Sequence, residues 1–395
     1  MIGISKLYCG TVEPSDALRY GRKSGLLPSH LLQFSADKKP VVVWNCTRRC
    51  NLKCVHCYSH SQDIDYSGEM TTDEAKRFID DLAAFGSPVL LFSGGEPLLR
   101  NDLFELINYT RLKGIRAVIS TNGTLITEEV AVRLGEAGLS YVGVSLDGLA
   151  TVHDRFRGVA GSFGRALAGI RASRKAGVKV GLRFTINKAN AGEIPGIFDL
   201  LEAEQIPRIC FYHLVYTGRA AGMVEHDLDH HRARETVDMI IDRTARLHER
   251  GIPAEVLTVD NHADGVYLYL RMKRENASKA SDVLELLTMN GGNSSGIGIS
   301  SVSWDGSVYP DQFWRHHAVG NVRERPFSEI WGNPADELLG QLRNRKQLLG
   351  GRCGRCVWQD LCNGNFRVRA EAVHGDIWAE DPACYLTEEE ISTRV

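Results

Sequence analysis

The sequence predicts an α/β protein in which a parallel sheet precedes a smaller, cysteine-rich domain. Short apolar runs alternate with segments of helical periodicity from about residue 41 to 215. The unusual loops follow the C-terminal ends of strands. The last hundred or so residues lose this alternation and gather cysteines among loops. Strands that alternate with amphipathic helices form parallel sheets with right-handed crossovers. Six such units fit a doubly wound sheet or an open, partial barrel, and length does not separate the two.

The elements follow in order. VVVW (41–44) is a first strand that runs into CTRRCNLKCVHCY. Thr71 and Glu74 form a capping box ahead of the helix EAKRFIDDLAAF. PVLLF (88–92) and RAVIS (116–120) are the second and third strands. The helices DLFELINYTRLK and TEEVAVRLGEAG follow them, the latter with Gly138 at its C-cap. YVGVSL (141–146), VKVGLRFTI and RICFYHL complete the strands, with helices near 162–176 and 192–204. EHDLDHHRARETVDMIIDRTARLHERG reads as a helix whose histidines mark a solvated start, and AEVLTVD as strand-like. GIGISSVSWDGSVYPDQF reads as a hairpin turning at Asp305 and Gly306. The expected divisions are an N-terminal segment (1–40), the sheet domain (41–250), a connecting segment (251–290) and the cysteine-rich domain (291–395).

Composition narrows the function. A formal charge of −2 over 395 residues excludes a nucleic-acid binder that works by bulk electrostatics. No apolar run approaches the roughly 18 residues of a membrane span, and MIGISKLYCGTVEPSD lacks the layout of a signal peptide. The expected compartment is the cytoplasm. There, clustered thiols bind metal or do redox work rather than form disulfides. Of ten cysteines, Cys50, Cys54 and Cys57 cluster early, and Cys353, Cys356, Cys362 and Cys384 late. Cys9 and Cys210 read as small buried hydrophobes; Cys46 is also left over.

The early group, C-x3-C-x2-C, brings three thiols together. Zinc would need a fourth ligand, for which His60 is better placed than His56. A C-x2-C redox pair would leave Cys50 unexplained. An iron–sulfur cube held by three thiolates leaves one iron open to an external chelator. SGGEP (93–97), TNGT (121–124) and SLDG (145–148) follow the next three strands and aim at the same edge, where α/β folds build sites. The four late thiols could close a [4Fe–4S] cluster or a zinc site.

Cys50, Cys54, Cys57 and Tyr58 after the first strand, with SGGEP and VSLDG on the following ones, resemble the radical S-adenosylmethionine (SAM) superfamily. The resemblance implies a partial (β/α)6 barrel and a [4Fe–4S] cluster on Cys50, Cys54 and Cys57 that binds SAM. Gly94, Gly95 and Glu96 would meet the methionine moiety, Ser145 and Asp147 would supply polar contacts, and Tyr58 would pack near the adenine. The C-x2-C-x5-C spacing with Cys384 resembles the SPASM (twitch-like) auxiliary domain. Phe366 and Asp311 stand where the fuller pattern has further cysteines, which implies one auxiliary [4Fe–4S] cluster on Cys353, Cys356, Cys362 and Cys384.

MIGISKLYCGTVEPSDALRYGR and LLPSHLLQFSADKKP, leading into the cysteine loop, resemble the tetrapyrrole-modifying branch, closest to the didecarboxysirohaem deacetylases of the alternative haem pathway. The implied reaction is radical loss of two acetate side chains from 12,18-didecarboxysirohaem, with a flavodoxin or ferredoxin as electron donor. The alternatives are the haem d1 reaction, which replaces propionates by oxo groups, and a peptide or sulfatase maturase. A flat macrocycle edged with carboxylates needs arginines and aromatics. Arg48, Arg49, Arg155, Arg157, Arg183 and Arg315 are candidates, with Trp304, Tyr309, Phe313 and Trp314. His316 or His317 could ligate the substrate's iron.

Overall fold

The computed structural model describes residues 1–12, 16, 19 and 39–393. Most of the expected N-terminal segment, including LLPSHLLQFSAD, lies outside the described residues.

One sheet of eleven strands organises the chain, in the order β1-β8-β7-β6-β5-β4-β3-β2-β9-β10-β11. β2 (Val41–Thr47), β3 (Val89–Gly94), β4 (Arg116–Thr121), β5 (Val142–Ser145), β6 (Val180–Thr185) and β7 (Arg208–Tyr212) are the six expected strands. They pair in sequence, all parallel. The sheet's ends, β1 (Ile2–Gly3) and β11 (Gly320–Asn321), do not pair with each other. The barrel is therefore open, as a partial barrel requires.

The sheet is larger than six strands at both ends. β8 (Glu255–Val259), from the segment expected to be a connector, is buried along its whole length and pairs parallel with β7. A strand buried on both faces is stable only inside a layered sheet, so AEVLTVD continues the barrel. β1 closes that side, antiparallel to β8. On the other side β9 (Ile299–Val302) pairs parallel with β2. It covers the edge that VVVW would otherwise expose. β10 (Ser307–Tyr309) and β11 follow antiparallel. The expected hairpin forms between β9 and β10, with Ser303 N–H donating to the Ser307 carbonyl across 2.8 Å.

The helices cover the outer face. α1 (Thr72–Phe85) starts with the expected capping box of Thr71 and Glu74. α2 (Leu103–Leu112), α3 (Glu128–Glu136), α4 (Ala150–Arg157), α5 (Ser162–Lys175), α6 (Ile194–Ala203) and α7 (His230–Glu249) follow the strands. Asp229 caps α7, so the histidines of EHDLDHH open a helix. α8 (Ala263–Glu275) and α9 (Ala277–Asn290) precede the C-terminal domain. Alternate strand residues pack under the helices: Trp44 is fully buried and meets Phe78 of α1 edge-on at 5.8 Å. Residues of the other parity face the barrel interior and include the polar Asn45, Ser93, Ser145, Arg183 and Ser301 beside an apolar cluster of Cys210, Leu257 and Val259. Among the described residues no helix is long and apolar enough to cross a membrane.

Candidate active site

The chain leaves β2 at Thr47 and crosses the strand ends as the cysteine loop. Four segments hold it. Cys50 N–H bonds the Gln62 carbonyl at 3.0 Å, and Lys53 and Val55 N–H bond the Arg157 and Phe156 carbonyls at 3.0 Å each. Gly95 N–H reaches back to the Thr47 carbonyl, and Glu96 N–H to that of Arg49, at 2.8 Å each. Arg219 donates from Nε to the Cys54 carbonyl at 2.7 Å and from its backbone to that of Cys57 at 2.9 Å. A loop fixed at this many points presents its side chains in one arrangement.

The three thiols pack together with Leu52 and Val159. Burial pushes the Cys50 thiol up to about 12, and the charges of Glu96, Cys54 and Cys57 add to the rise. Burial likewise raises Cys54, against the pull of Arg157. Crowded, desolvated thiolates of this kind are stable only around a bound cation or cluster. N–H groups already point at the sulfurs: Leu52 N–H to Cys50 Sγ at 3.5 Å and Arg157 Nη1 to Cys54 Sγ at 3.6 Å. Among the described residues no three Cys, His, Asp or Glu side chains converge on a position for a single metal ion. His60 is exposed, and His56 is turned away onto Phe156, ring centres 4.4 Å apart. The residues fit a cluster with three protein thiolates. Cys46 is not among them: it lies in the core of β2, its thiol donating to the Ser93 carbonyl at 3.3 Å.

SGGEP sits beside this loop. A side chain on Gly95 would collide with the Arg49 carbonyl oxygen, and one on Gly94 with that of Thr47. The glycines admit the backbone of the cysteine loop itself, a role beyond close approach to a ligand. Glu96 is fully buried. It accepts from Thr121 Oγ1 at 2.7 Å, Asn122 N–H at 2.8 Å and Leu98 N–H at 3.2 Å. Burial raises its pKa against these donors. Thr121 and Asn122 belong to TNGT, so two of the sequence's edge motifs lock together.

Ser145 ends β5 half-buried, with no side-chain hydrogen bond among the described residues. Asp147 is fully buried in a polar network. Oδ2 pairs with Arg157 and lies 3.7 Å from His56 Nε2, while Oδ1 accepts from Thr185 N–H at 2.8 Å. Arg157 in turn faces Cys54. Asp147 thus reaches the cluster loop through a cation that the sequence had suggested for substrate. Of the other arginine candidates, Arg49 pairs with Asp63 and Asp65 at the surface, and Arg155 is exposed. His316 and His317 pair with Glu371 and Asp336 at 2.8 and 2.9 Å.

Tyr58 turns into the barrel. Its hydroxyl donates to Asn45 Oδ1 at 2.7 Å and lies 3.2 Å from Ser93 Oγ. Its ring meets Phe313 of the C-terminal domain edge-on at 5.8 Å. The cysteine loop, the barrel interior and the second domain meet at this residue.

The late cysteines face a separate pocket, lined by Cys353, Cys356, Cys362 and Cys384 with Trp358 and Leu386. Burial pushes Cys384 up to about 12 and raises Cys362, to which the charges of the other three thiols add. Trp358 N–H points at Cys356 Sγ from 3.4 Å, and Arg367 Nη2 at Cys353 Sγ from 3.7 Å. The cavity fits a cluster by the same chemistry. Phe366 stacks edge-on with Phe313 at 5.7 Å, and Asp311 is buried, accepting from Ser295 and from Phe313 N–H. The two positions at which the sequence departs from the fuller pattern are thus an aromatic contact and a capped carboxylate. Arg219 is a loop-fixing residue that sequence reading missed, because it lies in no motif; Arg157 was expected at the site, but against substrate rather than against Cys54 and Asp147.

Comparison with known proteins accords with this geometry. The model of the radical SAM superfamily, which binds SAM and a [4Fe–4S] cluster, matches residues 44–201. That of the SPASM iron–sulfur cluster-binding domain matches 297–357. Over 394 residues the chain is 67% identical to the Fe-coproporphyrin III synthase of Methanosarcina barkeri, covering 99% of each chain. It is 45% identical over 358 residues to the pre-heme d1 synthase of Dinoroseobacter shibae, covering 90% of this chain and 88% of that one. The structure of Streptococcus suis SuiB bound to precursor peptide SuiA superposes with a TM-score of 0.70 at 18% identity, over 88% of this chain and 76% of that one. At that identity the likeness is one of fold alone. With three thiols at the mouth of an open barrel, four more in the domain beyond it, and relatives matched from end to end, the chain belongs to the SPASM-bearing enzymes of the radical SAM superfamily.

Proposed function

We propose that this chain acts in haem biosynthesis, removing the two acetate side chains of 12,18-didecarboxysirohaem to leave methyl groups and give Fe-coproporphyrin III. The observation that carries the reading is the 67% identity over the full length to a protein named for that product. The haem d1 alternative rests on a relative at 45%.

Cys50, Cys54 and Cys57 would hold the SAM-binding cluster, and Cys353, Cys356, Cys362 and Cys384 a second one. Bound there, SAM and its cluster would supply the radical chemistry that removes a hydrogen atom from substrate. The chain's own residues do the positioning. Glu96, held by Thr121 and Asn122, and Ser145 offer polar groups at the strand ends. Arg157, fixed by Asp147, donates to Cys54 and so orients that ligand. Tyr58 and Phe313 close the space between barrel and second domain, which keeps water from a reactive centre. The electron donor would be a flavodoxin or ferredoxin, and the compartment the cytoplasm.

The test is anaerobic turnover of didecarboxysirohaem with SAM and reductant. The expected outcome is 5′-deoxyadenosine together with a tetrapyrrole that has lost both acetate groups. Conversion of propionates to oxo groups would establish the haem d1 reaction instead. 5′-Deoxyadenosine with an unchanged tetrapyrrole would exclude both.

A further inference from the structure

Three arginines, one inside the barrel and two at its mouth, have almost no hydrogen-bonding or ionic partner among the described residues. Arg183, on β6, forms neither a side-chain hydrogen bond nor an ion pair among the described residues; its guanidinium sits over Tyr212, 4.5 Å from the ring centre. Its stem runs along Gly143 of β5, where an added Cβ would stand 3.0 Å from Arg183 Cδ. Arg48, two residues ahead of Cys50, sits over Tyr66 at 4.5 Å and Trp304 at 5.1 Å, and its buried Nε is unpartnered. Arg315 shares the Trp304 indole at 4.7 Å and lies over Tyr309 at 5.0 Å. It donates to Ser303 Oγ at 2.9 Å, and its buried Nη1 has no partner.

These three are half-buried; the more deeply buried arginines each have at least one acceptor, although Arg157 Nε and Arg367 Nε lack one among the described residues. Arg157 pairs with Asp147, Arg369 with Asp381 and Arg100 with Asp102, while Arg345 and Arg367 donate to backbone carbonyls. Withdrawing a guanidinium from water without acceptors is costly unless a ligand supplies them. Stacking on aromatic faces fixes the guanidinium plane and leaves edge N–H groups free for a bidentate carboxylate. Tyr58 ties the set to the reacting centre: it adjoins Cys57, and its ring meets Phe313, two residues before Arg315.

We propose that Arg183 inside the barrel, with Arg48 and Arg315 at its mouth, clamps the peripheral carboxylates of the macrocyclic substrate, and this rests on the tetrapyrrole reading above. The clamp sets which edge of the macrocycle faces the cluster loop, with Trp304 and Phe313 offering apolar surface to its plane.

The test titrates the anaerobically reconstituted holoenzyme with coproporphyrin III and with its tetramethyl ester, followed by porphyrin absorbance. Arg183→Gln, Arg315→Gln and Arg183→Lys are compared with the unaltered protein, and cluster absorption checks folding. Each Gln variant is expected to bind the acid about tenfold to a hundredfold more weakly, as loss of a charge-assisted pair requires. The ester is expected to bind all forms alike, and Lys to restore only part of the loss. Variants that bind the acid as tightly as the unaltered protein overturn the clamp while leaving the tetrapyrrole reading in place. So does an equal loss for the ester, which marks a collapsed pocket. An unaltered protein that binds neither porphyrin defeats the tetrapyrrole reading, and the clamp with it.

Discussion

Arg157 joins Asp147 to Cys54: one end of its guanidinium pairs with the buried carboxylate, and the other donates to the sulfur across 3.6 Å. Burial alone would raise the Asp147 pKa, but Arg157, His56 and Thr185 N–H outweigh it and hold it below the usual value. Asp147→Ala leaves Arg157 buried without its counter-charge. Removing one partner of a buried pair costs about 3–5 kcal/mol. Urea unfolding should register that loss, together with faster release of iron to a chelator. The carboxylate's contribution is full above the unfolded-state pKa of about 3.9 and fades as pH falls below it. An Asp147→Ala protein of unchanged stability that only binds SAM more weakly would assign Asp147 to the ligand instead.

Gly95 carries a second prediction. Its position against the Arg49 carbonyl leaves no room for a methyl group, and the obstacle is backbone rather than a movable side chain. Gly95→Ala must push the cysteine loop away from β3. Overpacking of this kind costs about 1–3 kcal/mol. The sharper effect falls on the cluster, because the displaced loop carries its ligands. Iron bound after reconstitution should drop, while the C-terminal cluster remains. Full iron content in Gly95→Ala would mean the loop is free to shift.

The two cysteine groups lie in separate packing environments, Cys50 and Cys54 with Val159, and Cys384 in the C-terminal cavity. Cys384→Ala should therefore bring iron down from about eight to about four atoms per chain and leave SAM cleavage measurable. Cys54→Ala should also bring it to about four, with cleavage abolished. Zinc in place of the second portion of iron, found by elemental analysis, would contradict the auxiliary-cluster assignment.

What the sequence revealed was local. CTRRCNLKCVHCY, SGGEP and the Asp305-Gly306 turn are contiguous, and each can be read from spacing and turn chemistry. Arg219 was hidden, and Arg157 was placed against substrate rather than Cys54, because the cysteine loop they hold lies far away in the chain and neither arginine stands in a motif. AEVLTVD was visible as a strand, but its place beside β7 depends on pairing that no local pattern encodes. The same holds for β9, whose parallel register with β2 makes the second domain continuous with the barrel sheet. Gly95 stood out as a glycine, yet the neighbour that demands it is the Arg49 carbonyl, identifiable only in three dimensions.

Asp260, just past β8, gives a prediction about pH. It is 5% exposed, its φ is 66°, and its side-chain carboxyl makes no hydrogen bond among the described residues. Burial pushes its pKa up to about 7 against the pull of nearby cations such as Arg369. The unfolded-state value is about 3.9. Between these two pH values the folded protein holds a proton that the unfolded chain has released, so stability falls as pH rises through that window and levels off above it. Asn at this position resembles the protonated acid and accepts left-handed backbone well. Asp260→Asn should therefore be more stable than the parent at pH 8, by on the order of 2 kcal/mol or more. The gap should narrow at pH 5, as followed by urea midpoints at each pH. A gap that does not change with pH would mean Asp260 is ionised in the folded protein across the range.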